Sequence, residues 1–423
     1  MNRHSCRPWP VLMLMIAIGG LACPIVAVAG DGATQTSTDW PRWRGPNGNS
    51  VIQQTTPWSA KWGDDGPRQL WSVPVGIGYA SISVSEHRCY TTGHRDGRDI
   101  VYCLNADTGK TIWQQAYAQD ILAKWNPGGP NATPTVDGRW LYVLGKEGTV
   151  SCFDKASGKL RWRREVHKRD GLPLPLWGYA STPIIVGQRL FLNVGESGVA
   201  LDKDNGELLW KSAAEPCGYA CPVPFEWNGQ PSLVMFGHHA VHVVRQSDGK
   251  QLWQTPWPTK MGENSADPIV VGNLLYVSSW WGQGAKLFDL NQSDGKPLWH
   301  HQTFQNHFSS SVLYDGHLFG FDGPAHRRTR LKAMRCVEFK TGKTKWSVPD
   351  LNGSLIIVDG KMIILTNTGE LITADASAKS FEPISRGRIT EGRTWPPPSF
   401  AGGRVFVRQI EGLAICIDLR AAE

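Results

Sequence analysis

From about residue 68 to the C-terminus, apolar and polar residues alternate in short runs, the period of two expected of half-buried strands. The stretch TPTVDGRWLYVLGKEGTVSCFDKASGKLRW is representative. It reads as strand, turn at Asp137-Gly138, strand, turn at Glu147-Gly148, strand, turn around Ser157-Gly158, strand. Leu141, Val143, Val150 and Cys152 fall on one face of the resulting sheet. Glycine supplies the positive φ that tight hairpin turns need, and Asp or Asn tolerates it nearly as well. No segment of useful length carries a helical period between these runs. The predicted unit is therefore four short antiparallel strands.

The unit recurs. VYCLNADTGKTIW ends at Trp113, TVSCFDKASGKLRW at Trp162, GVALDKDNGELLW at Trp210, VHVVRQSDGKQLW at Trp253, KLFDLNQSDGKPLW at Trp299 and MRCVEFKTGKTKW at Trp346. Trp71, in RQLW, is an earlier member without its preceding half, and the spacings from it onward are 42, 49, 48, 43, 46 and 47 residues. A weakened copy, LITADASAKSFEP, carries Ala378 in place of the glycine and Phe381 in place of the tryptophan. Four-stranded units at this spacing predict an all-β fold, a β-propeller. The C-terminal PPPSF, RVFVRQ and LAICIDL give three strands without a fourth, and RQLWSV near the N-terminus supplies it. The ring is thus predicted to have eight four-stranded antiparallel blades, the last closed by N- and C-terminal strands, which hides two sheet edges.

The tryptophan repeat also explains the composition, which holds 20 Trp against 9 Tyr and 13 Phe. With 46 Gly, 28 Pro and only 19% charged residues, the chain reads as folded and turn-rich rather than disordered. A net charge of +7, with Lys and Arg scattered among acids, leaves no basic footprint for nucleic acid. Residues 1–29 have the layout of a secretory signal peptide: Arg3 and Arg7, an apolar run from Val11 to Ala22, and Ala27-Val28-Ala29 before an expected cut after Ala29. The apolar run also permits an uncleaved anchor. Cys23 follows Gly20-Leu21-Ala22, which lacks the leucine three positions back of a lipoprotein site. Residues 30–67 are a leader and 68–423 the propeller, with no later segment able to span a membrane as a helix. A periplasmic or secreted monomer is expected.

The recurring pattern apolar–Ala/Cys–x–Asp–x–x–Ser/Thr–Gly–Lys–x–x–Trp resembles the tryptophan-docking repeat of pyrroloquinoline quinone (PQQ)-type propellers, over roughly residues 68–419. DWPRWRGPNGNS (39–50) resembles a leader found before such repeats in secreted bacterial propeller proteins. The resemblance implies that the repeat tryptophans, Trp71, Trp113, Trp162, Trp210, Trp253, Trp299 and Trp346, pack between neighbouring blades against the turn of the adjacent unit. The family includes quinoprotein dehydrogenases and non-catalytic relatives such as the propeller lipoprotein of the outer-membrane barrel assembly machinery, and fold alone does not choose between them.

Seven cysteines follow the signal segment. Cys103, Cys152, Cys336 and Cys416 share one repeat position, occupied elsewhere by Ala200 and Val243, and are read as small buried apolar residues. Cys89 is placed near Cys103 across the hairpin centred on Asp96, which allows a cross-strand disulfide. Cys217 and Cys221 flank Gly218-Tyr219-Ala220 in a loop, a spacing that allows a local disulfide.

If the strands of a blade are A to D, the D-to-A and B-to-C connections lie on one side of the ring. That side carries the long loops and most loop aromatics. The candidate ligand- or partner-binding residues are Tyr79, Trp125, Trp177, Tyr179, Tyr219, Glu263, Asn264, Trp281, His307 and Trp395. The alternative is that these side chains plug the channel and cover blade ends. His238, His239 and His242 are not assigned to a metal, because strand alternation sends neighbours to opposite faces. No nucleophile elbow, P-loop or HExxH motif is present, and no catalytic residue is assigned. The favoured reading is a non-catalytic binding or scaffold module with a protein or glycan partner in the envelope and no cofactor. The alternative, implied by the resemblance, is a PQQ- and Ca²⁺-dependent alcohol or sugar dehydrogenase. It must contend with the absence of an adjacent Cys pair and of a C-x-x-C-H haem site.

Overall fold

The computed structural model describes residues 1, 38–124, 126–292, 294–323 and 332–421. The signal segment, its cleavage site and Trp125 lie outside the described residues.

Eight antiparallel sheets form the ring. Blades 1 to 7 occupy residues 83–118, 135–165, 184–211, 223–256, 269–301, 312–349 and 353–388 in turn. Blade 8 takes its three inner strands from 399–418 and its outermost from Arg68–Pro74, in the order Arg68–Pro74, Leu413–Asp418, Arg404–Arg408, Ser399–Ala401. The terminal closure expected from the incomplete last repeat is present, with Trp71 opposite Cys416.

One cross-strand arrangement recurs in several blades. On strands B, C and D of blade 1, Tyr90, Cys103 and Trp113 lie side by side. Blade 2 repeats this with Tyr142, Cys152 and Trp162, blade 6 with Phe319, Cys336 and Trp346, and blade 8 with Phe406, Cys416 and Trp71. The flanking rings approach over the middle residue, with centroids 6.2, 6.1, 6.0 and 6.0 Å apart, and blade 5 holds the same spacing, 6.1 Å, between Tyr276 and Trp299 over Leu287. Blade 3 uses Ala200 between Phe191 and Trp210. These cysteines are buried free thiols.

Each docked tryptophan then reaches the next blade. The indole Nε1–H of Trp71, Trp113, Trp162, Trp210, Trp299 and Trp346 donates to the carbonyl of Ala106, Lys155, Lys203, Gln246, Phe339 and Ser377, respectively, at 2.8–3.0 Å. In most of these blades the ring lies against the glycine of that neighbouring C-to-D turn. A Cβ on Gly158 would sit 2.7 Å from the Trp113 ring, and the backbone there has φ +71°. Trp253 departs from the pattern. The turn facing it, 290–296, is two residues longer than the corresponding 246–250, and its Gly295 has no atom within contact of a built Cβ. Trp253 packs instead on Phe288 at 5.7 Å, and Trp227 Nε1 donates to Asn291 Oδ1 in that turn.

The leader folds onto the ring. Trp40 pairs with Val84 on the inner edge of blade 1, Val136 N–H of blade 2 donates to Pro41 O, and Val51–Ile52 adds a parallel fifth strand inside blade 7. The chain then runs outward along blades 7 and 8. Trp58 Nε1 donates to Asp359 Oδ2, Trp62 Nε1 to Arg386 O, and Ser59 N to Leu419 O, before strand Arg68–Pro74 begins. The polar, proline-interrupted leader carries no strand alternation, which is why its added strand escaped the sequence pattern.

The disulfides that these positions allow are not formed. Cys103 faces Tyr90, not Cys89, so Cys89 and Cys103 point to opposite sides of the sheet and into different core clusters. Cys217 packs with Leu172, Tyr179 and Val194, whereas Cys221 packs with Phe191, Trp210 and Met235. Both are free, because the intervening loop turns one thiol into each of two neighbouring cores.

Candidate functional site

The D-to-A loops deliver one segment per blade to the channel mouth, and there they enclose a pocket of about 170 Å³. Tyr79 enters from blade 1, Trp177 from blade 3, Tyr219 from blade 4, Glu263 from blade 5, Phe308 from blade 6 and Trp395 from blade 8. The aromatics form two groups. Trp395 lies 5.9 Å from Tyr79 and 5.3 Å from Phe308, and Trp177 lies 5.8 Å from Tyr219. These separations lie within the range of favourable aromatic pairs, roughly 4.5–7 Å.

Two carboxylates reach the pocket, and both are held by neighbours. Glu263 is 7% exposed. Its Oε2 accepts from Trp281 Nε1 at 2.5 Å and lies 3.4 Å from His307 Nε2. His307 is itself stacked on Phe308 at 3.8 Å. Trp281 adopts φ +68°, a conformation costly for a bulky residue, and its bond to Glu263 fixes it there. Asp267 accepts Trp43 Nε1 at 2.6 Å and Cys221 N at 2.8 Å, with Arg44 Nη1 at 3.6 Å. Arg44 also donates to Ser311 O at 2.7 Å. The leader therefore closes the channel below the pocket, and Trp43 forms part of the lining.

Opposite Glu263, from the B-to-C turn of blade 2, comes Lys146. It is 3% exposed, and its Nζ donates to Leu122 O at 3.4 Å. Burial pulls the amine down to about 8, partly offset by the negative Asp99. Asp99 in turn bonds His94 Nδ1 at 2.8 Å.

Of the residues singled out in the sequence, Tyr79, Trp177, Tyr219, Glu263 and Trp395 line the pocket, while Trp281 and His307 orient Glu263. Asn264 holds loops together: its Nδ2 donates to Gly237 O at 2.9 Å and His238 O at 3.1 Å, and its Oδ1 accepts Ser279 Oγ at 3.0 Å. Tyr179 is the correction. Its ring is buried between blades 2 and 3 and its hydroxyl donates to Leu172 O and Pro173 O, because Gly178-Tyr179 turns the side chain inward while Trp177 takes the mouth. His238 and His239 rings touch at 4.3 Å, but His242 turns to Gln251 Oε1 at 3.1 Å. Lys146, Asp267 and Trp43 were missed. A lysine in a GKEG turn reads as solvated surface, and only long-range folding brings the leader under the channel.

A closed ring of eight four-stranded blades, stapled by tryptophans and bearing an aromatic pocket at one mouth, defines a PQQ-type β-propeller. The family profile described as outer membrane protein assembly factor BamB matches residues 63–217, 97–347 and 237–423, and the chain belongs to that family. A polyvinylalcohol dehydrogenase of a Pseudomonas species is 26% identical over 274 residues, 52% of this chain but 41% of that protein, so the chain spans less than half the length of this relative. Outer membrane protein assembly factor BamB of Yersinia pestis is 21% identical over 333 residues, 70% of this chain and 77% of that protein. Among solved structures, BamB from Moraxella catarrhalis superposes with a TM-score of 0.60 at 15% identity, covering 84% of this chain and all of that one. Quinohemoprotein alcohol dehydrogenase from Comamonas testosteroni gives 0.64 at 14% identity, covering 91% and 81%. These structures share the fold.

Proposed function

We propose that the protein is a non-catalytic binding and scaffold module of the cell envelope, periplasmic or secreted, that receives its partner on the face formed by the D-to-A and B-to-C loops. The observation that carries this reading is the asymmetry of the two faces. One gathers aromatic and charged side chains from seven blades around an open pocket, while the other is closed by the leader and compact turns. The assembly-factor relatives, of which the chain spans most of the length, support an envelope role, and the signal-like residues 1–29 support export. No helix among the described residues is long and apolar enough to cross a membrane.

The second reading, a PQQ- and Ca²⁺-dependent dehydrogenase, is favoured by the polyvinylalcohol dehydrogenase relative. The aromatic walls suit a planar ring, but the donor set does not suit calcium, which takes six to eight oxygens. Asp267 is committed to Trp43, Arg44 and Cys221 N–H, and one oxygen of Glu263 to Trp281.

One experiment tests the binding face. A photo-crosslinking side chain is introduced at Phe308 or Tyr219 on the loop face and at Lys159 or Lys343 on the turn face, in cells making the full protein. Crosslinked adducts from the loop face alone are expected; equal or no adducts refute the reading. Titration of the purified protein with PQQ and Ca²⁺, followed by tryptophan fluorescence, is expected to give no saturable, calcium-dependent quenching. Such quenching would establish the dehydrogenase alternative.

A further inference from the structure

Three features of the pocket together restrict what can occupy it. Its volume, about 170 Å³, is close to the roughly 150 Å³ cavity that accommodates one benzene molecule, so it has room for a single six-membered ring. The leader shuts the channel beneath, through Trp40 and Pro41 on blades 1 and 2, Arg44 on Asp267 and Ser311, and Val51–Ile52 on blade 7. A ligand chain cannot thread through and must enter by its end. Two of the charged lining groups, Glu263 from blade 5 and Lys146 from blade 2, stand apart around the ring, with the Tyr79–Trp395–Phe308 group on one arc between them and the Trp177–Tyr219 pair on the other.

Both polar groups are more than nine-tenths buried and have hydrogen-bonding capacity to spare. Glu263 spends Oε2 on Trp281 and His307, which leaves Oε1 for a ligand donor. Lys146 makes one long bond to Leu122 O, which leaves donors for a ligand acceptor. An apolar aromatic ring between them would remove their water and return no hydrogen bond, at a cost of about 1–3 kcal/mol or more for each group. A sugar ring differs. Its C–H faces lie flat on aromatic rings, and its edge hydroxyls donate and accept on all sides.

We propose that this pocket binds the terminal pyranose ring of an envelope glycan, stacked between the two aromatic groups with hydroxyls donating to Glu263 and accepting from Lys146. The assignment rests on the loop face being the binding face and names the ligand class of that face.

The test uses the full folded protein without its signal segment. Methyl β-D-glucopyranoside, N-acetylglucosamine and glucuronate are titrated with tryptophan fluorescence and saturation-transfer difference NMR of the sugar C–H protons; p-cresol serves as the apolar-ring control. At least one sugar is expected to bind saturably with a millimolar dissociation constant, with saturation transfer strongest on its ring C–H protons. Trp177→Ala and Glu263→Gln should each weaken it about tenfold, which is about 1.4 kcal/mol. Lys146→Met should remove any preference for glucuronate over the neutral glucoside. Glu263→Gln preserves shape, so the test survives a folding defect in Trp177→Ala, and thermal melts identify such a defect. No sugar binding up to about 50 mM, well past millimolar dissociation constants, overturns the proposal. So does p-cresol binding as tightly as every sugar, or affinities within twofold of wild type in both Trp177→Ala and Glu263→Gln. Loop-face crosslinks that persist while all sugars fail would overturn the glycan assignment and leave the binding face standing. Loss of those crosslinks would overturn the face itself.

Discussion

Trp210 and Trp253 occupy the same repeat position in blades 3 and 4, yet only Trp210 docks, so replacing each by phenylalanine isolates what docking contributes. Trp210→Phe removes the 3.0 Å bond to Gln246 O and the ring atoms that lie against Gly249, where a built Cβ would be 2.6 Å away. Leaving the Gln246 carbonyl without its donor costs about 1–3 kcal/mol, and the incompletely filled space costs about another 1 kcal/mol. Trp253→Phe loses packing on Phe288 without a docked indole bond, about 1 kcal/mol. The measurement is urea unfolding followed by far-ultraviolet circular dichroism. With a slope of about 3 kcal/mol/M, the Trp210 variant should unfold about 0.3–1 M earlier than the Trp253 variant. Equal midpoints at unchanged slope would refute the claim that the indole bond to the next blade, rather than the bulk of the ring, ties neighbouring blades together.

Gly158→Ala should destabilise by about 1–3 kcal/mol, read in the same assay, because the new methyl meets the Trp113 ring and the residue must keep φ +71°. Gly138→Ala, with φ +54° but open space around it, should cost only the backbone part. Asp267→Ala leaves the buried Arg44 guanidinium without its carboxylate and Trp43 without its acceptor. It is expected to cost about 3–5 kcal/mol and to release the leader, measured as accelerated proteolysis between residues 38 and 67. Burial raises the thiols of Cys103 to about 11 and of Cys152, Cys217, Cys336 and Cys416 to about 12. The folded protein at pH 8 should therefore leave these five unreacted with a thiol reagent, and each should react on unfolding. Because the folded values lie above the unfolded ones, the unfolded chain loses these protons first. The stability they contribute is complete below about pH 8.5 and falls as pH rises toward 12, which alkaline denaturation would show.

The sequence carried nearly all of the ring because each blade is written locally: a turn glycine, a period of two, and a tryptophan at a fixed offset. Even the closure was visible, since three C-terminal strands and one N-terminal strand make a whole unit. The shared cysteine position was legible as buried, though not its place between two aromatic rings. What could not be read depends on contacts far apart in the chain. The Trp43–Asp267 bond spans 224 residues, and Lys146 becomes a pocket residue only because blade 2 turns its B-to-C loop toward the mouth. Tyr179 failed for a subtler reason: Gly-Tyr-Ala recurs at 78–80, 178–180 and 218–220, but the middle copy points its ring into the core while the other two face the pocket.

The leader separates two dimensions of the channel mouth that a plain propeller would leave coupled to its repeats. The number of blades sets its width, and changing that width means adding or removing some 46 residues and rebuilding every interface. Its depth is set by how far residues 40–52 rise under the channel, through segments that belong to no repeat. Lengthening, shortening or withdrawing that stretch would turn the same walls into a shallower dish, a deeper well or an open tube, without altering any blade-to-blade tryptophan contact.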